Sequence, residues 1–231
     1  MNRSRTHVDV SWLGRVPYRE AWDLQRELVE AVHAGRQPDT LLLLEHPHVF
    51  TMGRRAVLEH VLWDEAERAR REVDMVWCDR GGDVTYHGPG QLVGYPIFDL
   101  RRHGEDVLLY LRLLEDSLIA YLAVLGVQAE RVPGLTGVWC RNAKVAAIGI
   151  KLTHGTVSHG FALNLSTDLG YFAGIVPCGI DDRAVTSVAA LAGAAPGVEA
   201  AARAYAPVLA DVFNLEAEFH EAPREKLISV L

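Results

Sequence analysis

The stretch GVWCRNAKVAAIGIKLTHGTVSHGFALNLS, Gly137 to Ser166, alternates apolar runs with two short turn signals, at Arg141 to Ala143 and at Thr153 to Gly155. Turn formers between branched and small apolar residues predict three antiparallel strands joined by tight hairpins. Three strands bury their faces only against further elements, so the flanking sequence decides the architecture. Immediately upstream, Leu108, Leu111, Leu114, Leu118, Tyr121, Leu122 and Leu125 keep helical spacing from a start favoured by Glu105 and Asp106 to a stop at Gly126. Further back, QLVGYPIFDL, VDMVWC (Val73 to Cys78) and TLLLLE (Thr40 to Glu45) read as strands, the last two buried. Pro17 to Gly35 and Trp63 to Glu72 read as helices. Downstream, STDLGYFAGIVPCGID is loop-like, VEAAARAYAPVLADVF is helical with a kink or break at Pro207, and Leu215 to Phe219 is a final strand. The expected fold is therefore α/β (α+β): one domain over residues 1–231, a mixed, largely antiparallel sheet flanked by helices, with no repeat and no linker.

Bulk properties exclude several function classes. With 23 basic against 30 acidic residues and a net charge of −7, no basic stripe interleaves with aromatics, so nucleic acid is not an expected partner. The N-terminal MNRSRTHVDVSW lacks the apolar core of a signal peptide, and the most apolar helix is interrupted by Arg112, Glu115 and Asp116. We expect a cytoplasmic protein without a membrane span. Cys78, Cys140 and Cys178 are an odd number without a CxxC pair, which argues against a disulfide framework and a zinc finger.

Chemistry concentrates in a few places. In RGGDVTYHGPGQLVGYP, Arg80 to Pro96, the glycines Gly81, Gly82, Gly88 and Gly90 stand with Arg80, Tyr86 and His87 between strands, a pattern either of backbone approaching a ligand or of tight turns alone. It is neither GxGxxG leading into a helix nor a Walker phosphate loop. Cys78 and Cys140 sit in apolar strands and read as packing. Cys178, pinned between Pro177 and Gly179, is the candidate nucleophile, the alternative being an inert loop thiol. Lys144 opens the otherwise apolar strand KVAAIGI, so it is either a solvent-edge lysine or a desolvated one able to assist a thiol; Lys151 is the more ordinary surface lysine. His87 and His159 are candidates for a base, for positioning, or for purely structural roles. Ala146, Ala147, Gly149, Gly160 and Ala162 remove side-chain volume from two strands, leaving either a narrow apolar slot or close helix packing. His46, His48 and His87 lack a recognised ligand spacing, so no metal and no cofactor are expected.

Taken in order, RGGDVTYHGPGQLVGYPIFDL, GVWCRNAKVAAIGI, HGFALNLSTDL and IVPCGIDDRAVTS resemble the signature blocks of the lipoyl(octanoyl) transferase family, with Val188 standing where leucine is expected after Thr186 and Ser187. The resemblance spans nearly the whole chain and implies the catalytic-domain fold of biotin and lipoate protein ligases. It implies transfer of an octanoyl group from octanoyl-acyl carrier protein to a lysine of lipoyl domains, those of 2-oxoacid dehydrogenase complexes and the glycine cleavage H protein, by a monomer. By the same resemblance Cys178 is the acyl-thioester nucleophile and Lys144 the residue that lowers its pKa. Substrate contacts fall on Arg80, Gly81, Gly82, Asp83, Val84, Thr85, Tyr86 and His87, on Ala147, Ile148 and Gly149, and on Gly160, Phe161 and Ala162. The rival readings are an ATP-dependent lipoate ligase, against which Cys178 and the missing phosphate loop argue, and a non-catalytic acyl- or lipoyl-domain-binding module. Because both protein partners of such a transferase are acidic, some of Arg54, Arg55, Arg101 and Arg102 are expected at the mouth of the site.

Overall fold

The computed structural model describes residues 5–176 and 184–220. The Gly137–Ser166 stretch folds as the sequence predicts, into β8 (Leu135–Cys140), β9 (Ala143–Thr153) and β10 (Thr156–Asn164), paired antiparallel. Cys140 faces Ala143 and Thr153 faces Thr156, so each hairpin turns through two residues. Arg141, Asn142, His154 and Gly155 all have positive φ, the geometry that matches a two-residue turn to the twist of its strands.

Around this meander runs an eight-stranded sheet in the order β11-β1-β2-β6-β10-β9-β8-β7, in which β1 (Thr6–Arg15) is parallel to both β11 (Leu215–His220) and β2 (Asp39–Glu45), and the other pairs are antiparallel. β6 spans Gln91–Ile97 and β7 Glu130–Val132. Along β2 the side chains alternate between two cores. Leu41 and Leu43 meet α3 (Val107–Val124) and α5 (Val198–Phe213), while Leu42 and Leu44 meet α1 (Tyr18–His33) through Leu24, Leu28 and Val32. Truncating a side chain such as Leu28, 1% exposed, to alanine costs about 2–5 kcal/mol in such a core. Asp106 caps α3 by accepting from the Leu108 and Leu109 amides, as its position predicts.

A second sheet, β4-β3-β5, leans on the first and carries the glycine-rich stretch; β3 is Val49–Met52, β4 Asp74–Trp77 and β5 Val84–His87. Several expectations change here and nearby. The VDMVWC stretch is not buried along its length but is the edge of this small sheet, with Trp77 51% exposed and only Val73 and Val76 enclosed. Residues 169–174 form a 3-10 turn capped by Asp168, and Phe172 packs onto the small sheet. Pro207 does not break α5: it lies on the solvent face, while Tyr205, Leu209 and Phe213 hold both halves against the sheet. Leu108 faces solvent instead of continuing the buried stripe of α3. β1, β3, β5 and β7 were not anticipated: the last three are too short to show a period, and the alternation of β1 is broken by polar residues and a glycine.

Candidate active site

The small residues of β9 and β10 form one wall of a narrow cavity of about 40 Å3. Ala147, Ile148 and Gly149 come from β9 and Gly160, Phe161 and Ala162 from β10, with Gly149 directly opposite Gly160. Arg80, Thr85 and His87 close it from the glycine-rich stretch. The Arg80–Gly82 loop is laced to β9 by the Gly81 amide, which donates to the Ile150 carbonyl at 2.9 Å. A Cβ on Gly149 would stand 2.9 Å from the Gly81 carbonyl oxygen, so glycine permits this backbone contact. Likewise Gly90, with φ +80°, turns the chain into β6 against the backbone of Ser166.

A larger cavity, about 290 Å3, shares Ile148 and Gly149 with the first. Gly81 and Gly82 line it, and so do Lys144 and Arg55. Lys144 is half-buried on β9, its stem against Gly137 and its Nζ 4.9 Å from the centroid of the Trp139 ring, whose face attracts a cation. Its backbone donates to the Ala184 carbonyl and accepts from the Thr186 amide, both at 2.9 Å, which fixes residues 184–186 beside β9. Cys178 lies outside the described residues.

Behind the narrow cavity runs a chain of buried hydrogen bonds. The Arg80 guanidinium donates to the Thr51 carbonyl and hydroxyl and to the Gly81 carbonyl. The Thr51 hydroxyl lies 3.4 Å from His87 Nε2, and His87 Nδ1 donates to Gln91 Oε1 at 2.8 Å. Gln91 Nε2 donates to Asn164, whose amide in turn donates to the Thr186 carbonyl. Burial, with the charge of Arg80 and the neighbouring His46 adding to it, holds His87 well below its ordinary pKa, so it is a neutral imidazole whose Nδ1 carries the proton. His46, donating to the Val16 carbonyl and accepting from Tyr95, is pushed by burial down to about 4.

His159 sits on β10 at φ +56°, its amide held by Gln25 and its Nε2 2.8 Å from Asp79. Lys151 donates to the other Asp79 oxygen at 2.7 Å. The hydrogen bond from His159, then that from Lys151, hold the Asp79 carboxyl well below the usual range, while burial keeps His159 below its own ordinary value. Asp79 is thus the charged partner and His159 a neutral donor. Lys151, read as an ordinary surface lysine, belongs to this network.

Not every anticipated residue meets the cavities. Tyr86 and Val84 are enclosed in the core of the small sheet, Tyr86 between Tyr171, Phe172 and His48, because β5 alternates and turns them away from Thr85 and His87. Asp83 pairs with His60 and accepts from its neighbour's amide. Cys140 packs in the main core and Cys78 is half-buried against the Met52 carbonyl. Arg101 and Arg102 pair with Asp99 and Asp39 at the far end of β9 from Lys144, whereas Arg55, among the four arginines expected at the mouth, lines the larger cavity. Sequence reasoning missed Tyr18 and Tyr95, which line the narrow cavity, and Thr51, Gln91 and Asn164 behind it. For Thr51, Gln91, Tyr95 and Asn164 a polar residue inside an apolar strand was the only signal, and Tyr18 reads simply as part of the apolar face of α1.

The arrangement offers a slot walled by small and apolar groups, with Arg80, Thr85 and the neutral His87 along one side, and a lysine lining the larger cavity that adjoins it. That suits an extended acyl chain with its reacting carbonyl near Lys144. Residues 17–210 match the model of the lipoyl protein ligase A/B catalytic domain. An octanoyltransferase of Chloroflexus aurantiacus is 52% identical over 212 residues, covering 90% of this chain and 95% of that protein. Among solved structures, a lipoate-protein ligase A bound with ATP superimposes with a TM-score of 0.74 at 17% identity, covering 96% of this chain and 92% of that one. A biotin protein ligase of Aquifex aeolicus, in complex with biotin and ATP, gives 0.51 at 16% identity over 89% of this chain and 70% of that one, a likeness of fold.

Proposed function

The chain belongs to the lipoyl protein ligase A/B catalytic domain family and is an acyltransferase that transfers octanoyl groups in protein lipoylation; from that premise we propose that it works through an acyl-thioester on Cys178, with octanoyl-acyl carrier protein as donor and a lysine of a lipoyl domain as acceptor. The Cys178 thiolate attacks the carrier thioester carbonyl, the carrier thiolate leaves, and it takes up the proton that the cysteine gave up. The acceptor lysine, as free amine, then attacks the acyl-cysteine. An amide forms, the Cys178 thiolate leaves, and the amine's proton passes to Lys144 or to solvent.

Exchanging one thioester for another costs little, and forming the amide runs downhill, so no ATP is consumed. The reading rests above all on one observation: Lys144 borders the open cavity that shares Ile148 and Gly149 with the narrow slot, putting a basic side chain where the end of a bound acyl chain meets solvent. The octanoyl chain then lies along Ala147–Gly149 and Gly160–Ala162, with Arg80, Thr85 and His87 opposite. One chain supplies every group named, so a monomer suffices. Among the described residues no helix is long and apolar enough to cross a membrane, and the cytoplasm, where carrier and acceptor meet, is the proposed location.

The deciding measurement is the intact mass of the protein after incubation with octanoyl-carrier thioester and no ATP, beside Cys178→Ser and Lys144→Met. A hydroxylamine-labile octanoyl adduct on the wild type, absent from Cys178→Ser and slow to form on Lys144→Met, is expected. Modification of a lipoyl domain that appears only with ATP and free octanoate would overturn the proposal in favour of ligase chemistry.

A further inference from the structure

At the opposite edge of the large sheet, β1 and β11 run parallel, with Asp9 beside Glu218 and Ser11 beside His220. Alternate residues of a strand share a face, so His7 and Asp9 of β1 and Glu218 and His220 of β11 rise together from two adjacent strands. Their nitrogen and oxygen atoms close a ring. His7 Nε2 lies 2.8 Å from Asp9 Oδ1, which lies 3.2 Å from His220 Nε2; Glu218 stands 3.9 Å from His220 Nε2 and 3.8 Å from His7 Nε2. His7, Asp9 and Glu218 each place a donor atom within 4.8 Å of the other two.

A tetrahedral ion bound through nitrogen and oxygen at ordinary bond lengths holds its ligands about 3.4 Å apart; His7, Asp9 and Glu218 stand close enough to share one ion, and His220, beside Asp9 and Glu218, completes the set by closing on His7. Hydrogen bonding explains only the two edges at Asp9. The Glu218 carboxylate sits between two imidazoles beyond hydrogen-bond reach of either, a position that a cation shared by all four groups would account for. Two imidazoles and two carboxylates favour a borderline transition metal over calcium or magnesium, which take all-oxygen sites. Side-chain exposures from 27% at Asp9 to 64% at Glu218 leave an entry path.

We infer that His7, Asp9, Glu218 and His220 form a binding site for a divalent transition-metal ion, zinc foremost, that ties the C-terminal strand β11 to β1. Since the four ligands come together only when the two strands pair, the ion stabilises the folded chain.

The test titrates chelator-stripped full-length protein with zinc chloride against a chromophoric chelator, and repeats it with cobalt(II). The wild type is expected to take up one ion at this site, with its thermal midpoint rising. His7→Gln/His220→Gln is expected to weaken that uptake more than about tenfold and to abolish the thermal rise. Asp9→Asn/Glu218→Gln, nearly isosteric, removes the charge and should do the same; retained octanoyl transfer certifies that either variant is folded. Cobalt in this site gives visible d–d bands without the near-ultraviolet thiolate band that a cysteine site shows. No uptake by the wild type, or zinc affinity and thermal shift unchanged in both folded double variants, would overturn the inference.

Discussion

His46 makes acid stability a quantitative readout of the packing behind the slot. Its ring is fully buried, donates through Nδ1 to the Val16 carbonyl at 2.6 Å, and accepts the Tyr95 hydroxyl at Nε2. Burial lowers its pKa from 6.5 to about 4, with the Val16 hydrogen bond opposing the shift. A depressed histidine means that the unfolded chain binds the proton more readily, so the stabilisation is whole above about pH 6.5 and drains away as pH falls through about 4. Each pH unit between the two values is worth about 1.4 kcal/mol, a limit of about 3.4 kcal/mol, of which about 1.8 kcal/mol is lost between about pH 7 and about pH 5. His46→Asn keeps a donor for the Val16 carbonyl, leaves Tyr95 without its acceptor, and cannot titrate. It should lose about 1–3 kcal/mol at neutral pH. Urea unfolding at the two pH values should then show the variant losing about 1.8 kcal/mol less on acidification than the wild type. His159, lowered in the same sense, remains in both proteins and cancels from the comparison, while His87, whose lowering His46 adds to, relaxes toward its ordinary value in the variant and reduces the variant's acid loss further. An equal acid loss in both would refute the argument that His46 is folded as a neutral, desolvated ring.

Three further outcomes are expected. Gly149→Ala drives a Cβ onto the Gly81 carbonyl, and because both atoms are backbone the loop must move; kcat/KM for octanoyl transfer should drop about tenfold or more, with a stability cost of about 1–3 kcal/mol, and wild-type kinetics would show that the loop does not depend on that contact. Gln91→Leu strands His87, Asn164 and the Tyr86 carbonyl in the interior, and denaturant titration should register a loss of roughly 2–4 kcal/mol; a change within error would mean that water or repacking satisfies them. Arg55→Glu, at the lining of the open cavity, should raise KM for the acidic carrier-bound donor several-fold at low salt and little at high salt, with kcat preserved; a salt-independent effect would assign Arg55 a local structural role.

Strand and helix periodicity, turn residues and caps are local properties, and they alone determined much of this chain: the β8–β10 meander, α1, α3, the strands β2 and β6, and the singling out of Lys144, Gly149, Gly160 and the Arg80–His87 stretch. An unbroken apolar run in TLLLLE already demands burial on both faces, and β2 has it. What the tertiary structure decided is which odd residues share a space. Whether Tyr86 or Thr85 faces the cavity turns on the register of β5 against β3, a one-residue matter that no local pattern carries. Pro207 stays inside a helix because tertiary packing outweighs one lost hydrogen bond on the solvent side. Thr51, Gln91 and Asn164 became a single hydrogen-bonded chain only when three strands from two sheets came together, since a buried polar group is legible as functional only once its partners, distant in sequence, are beside it.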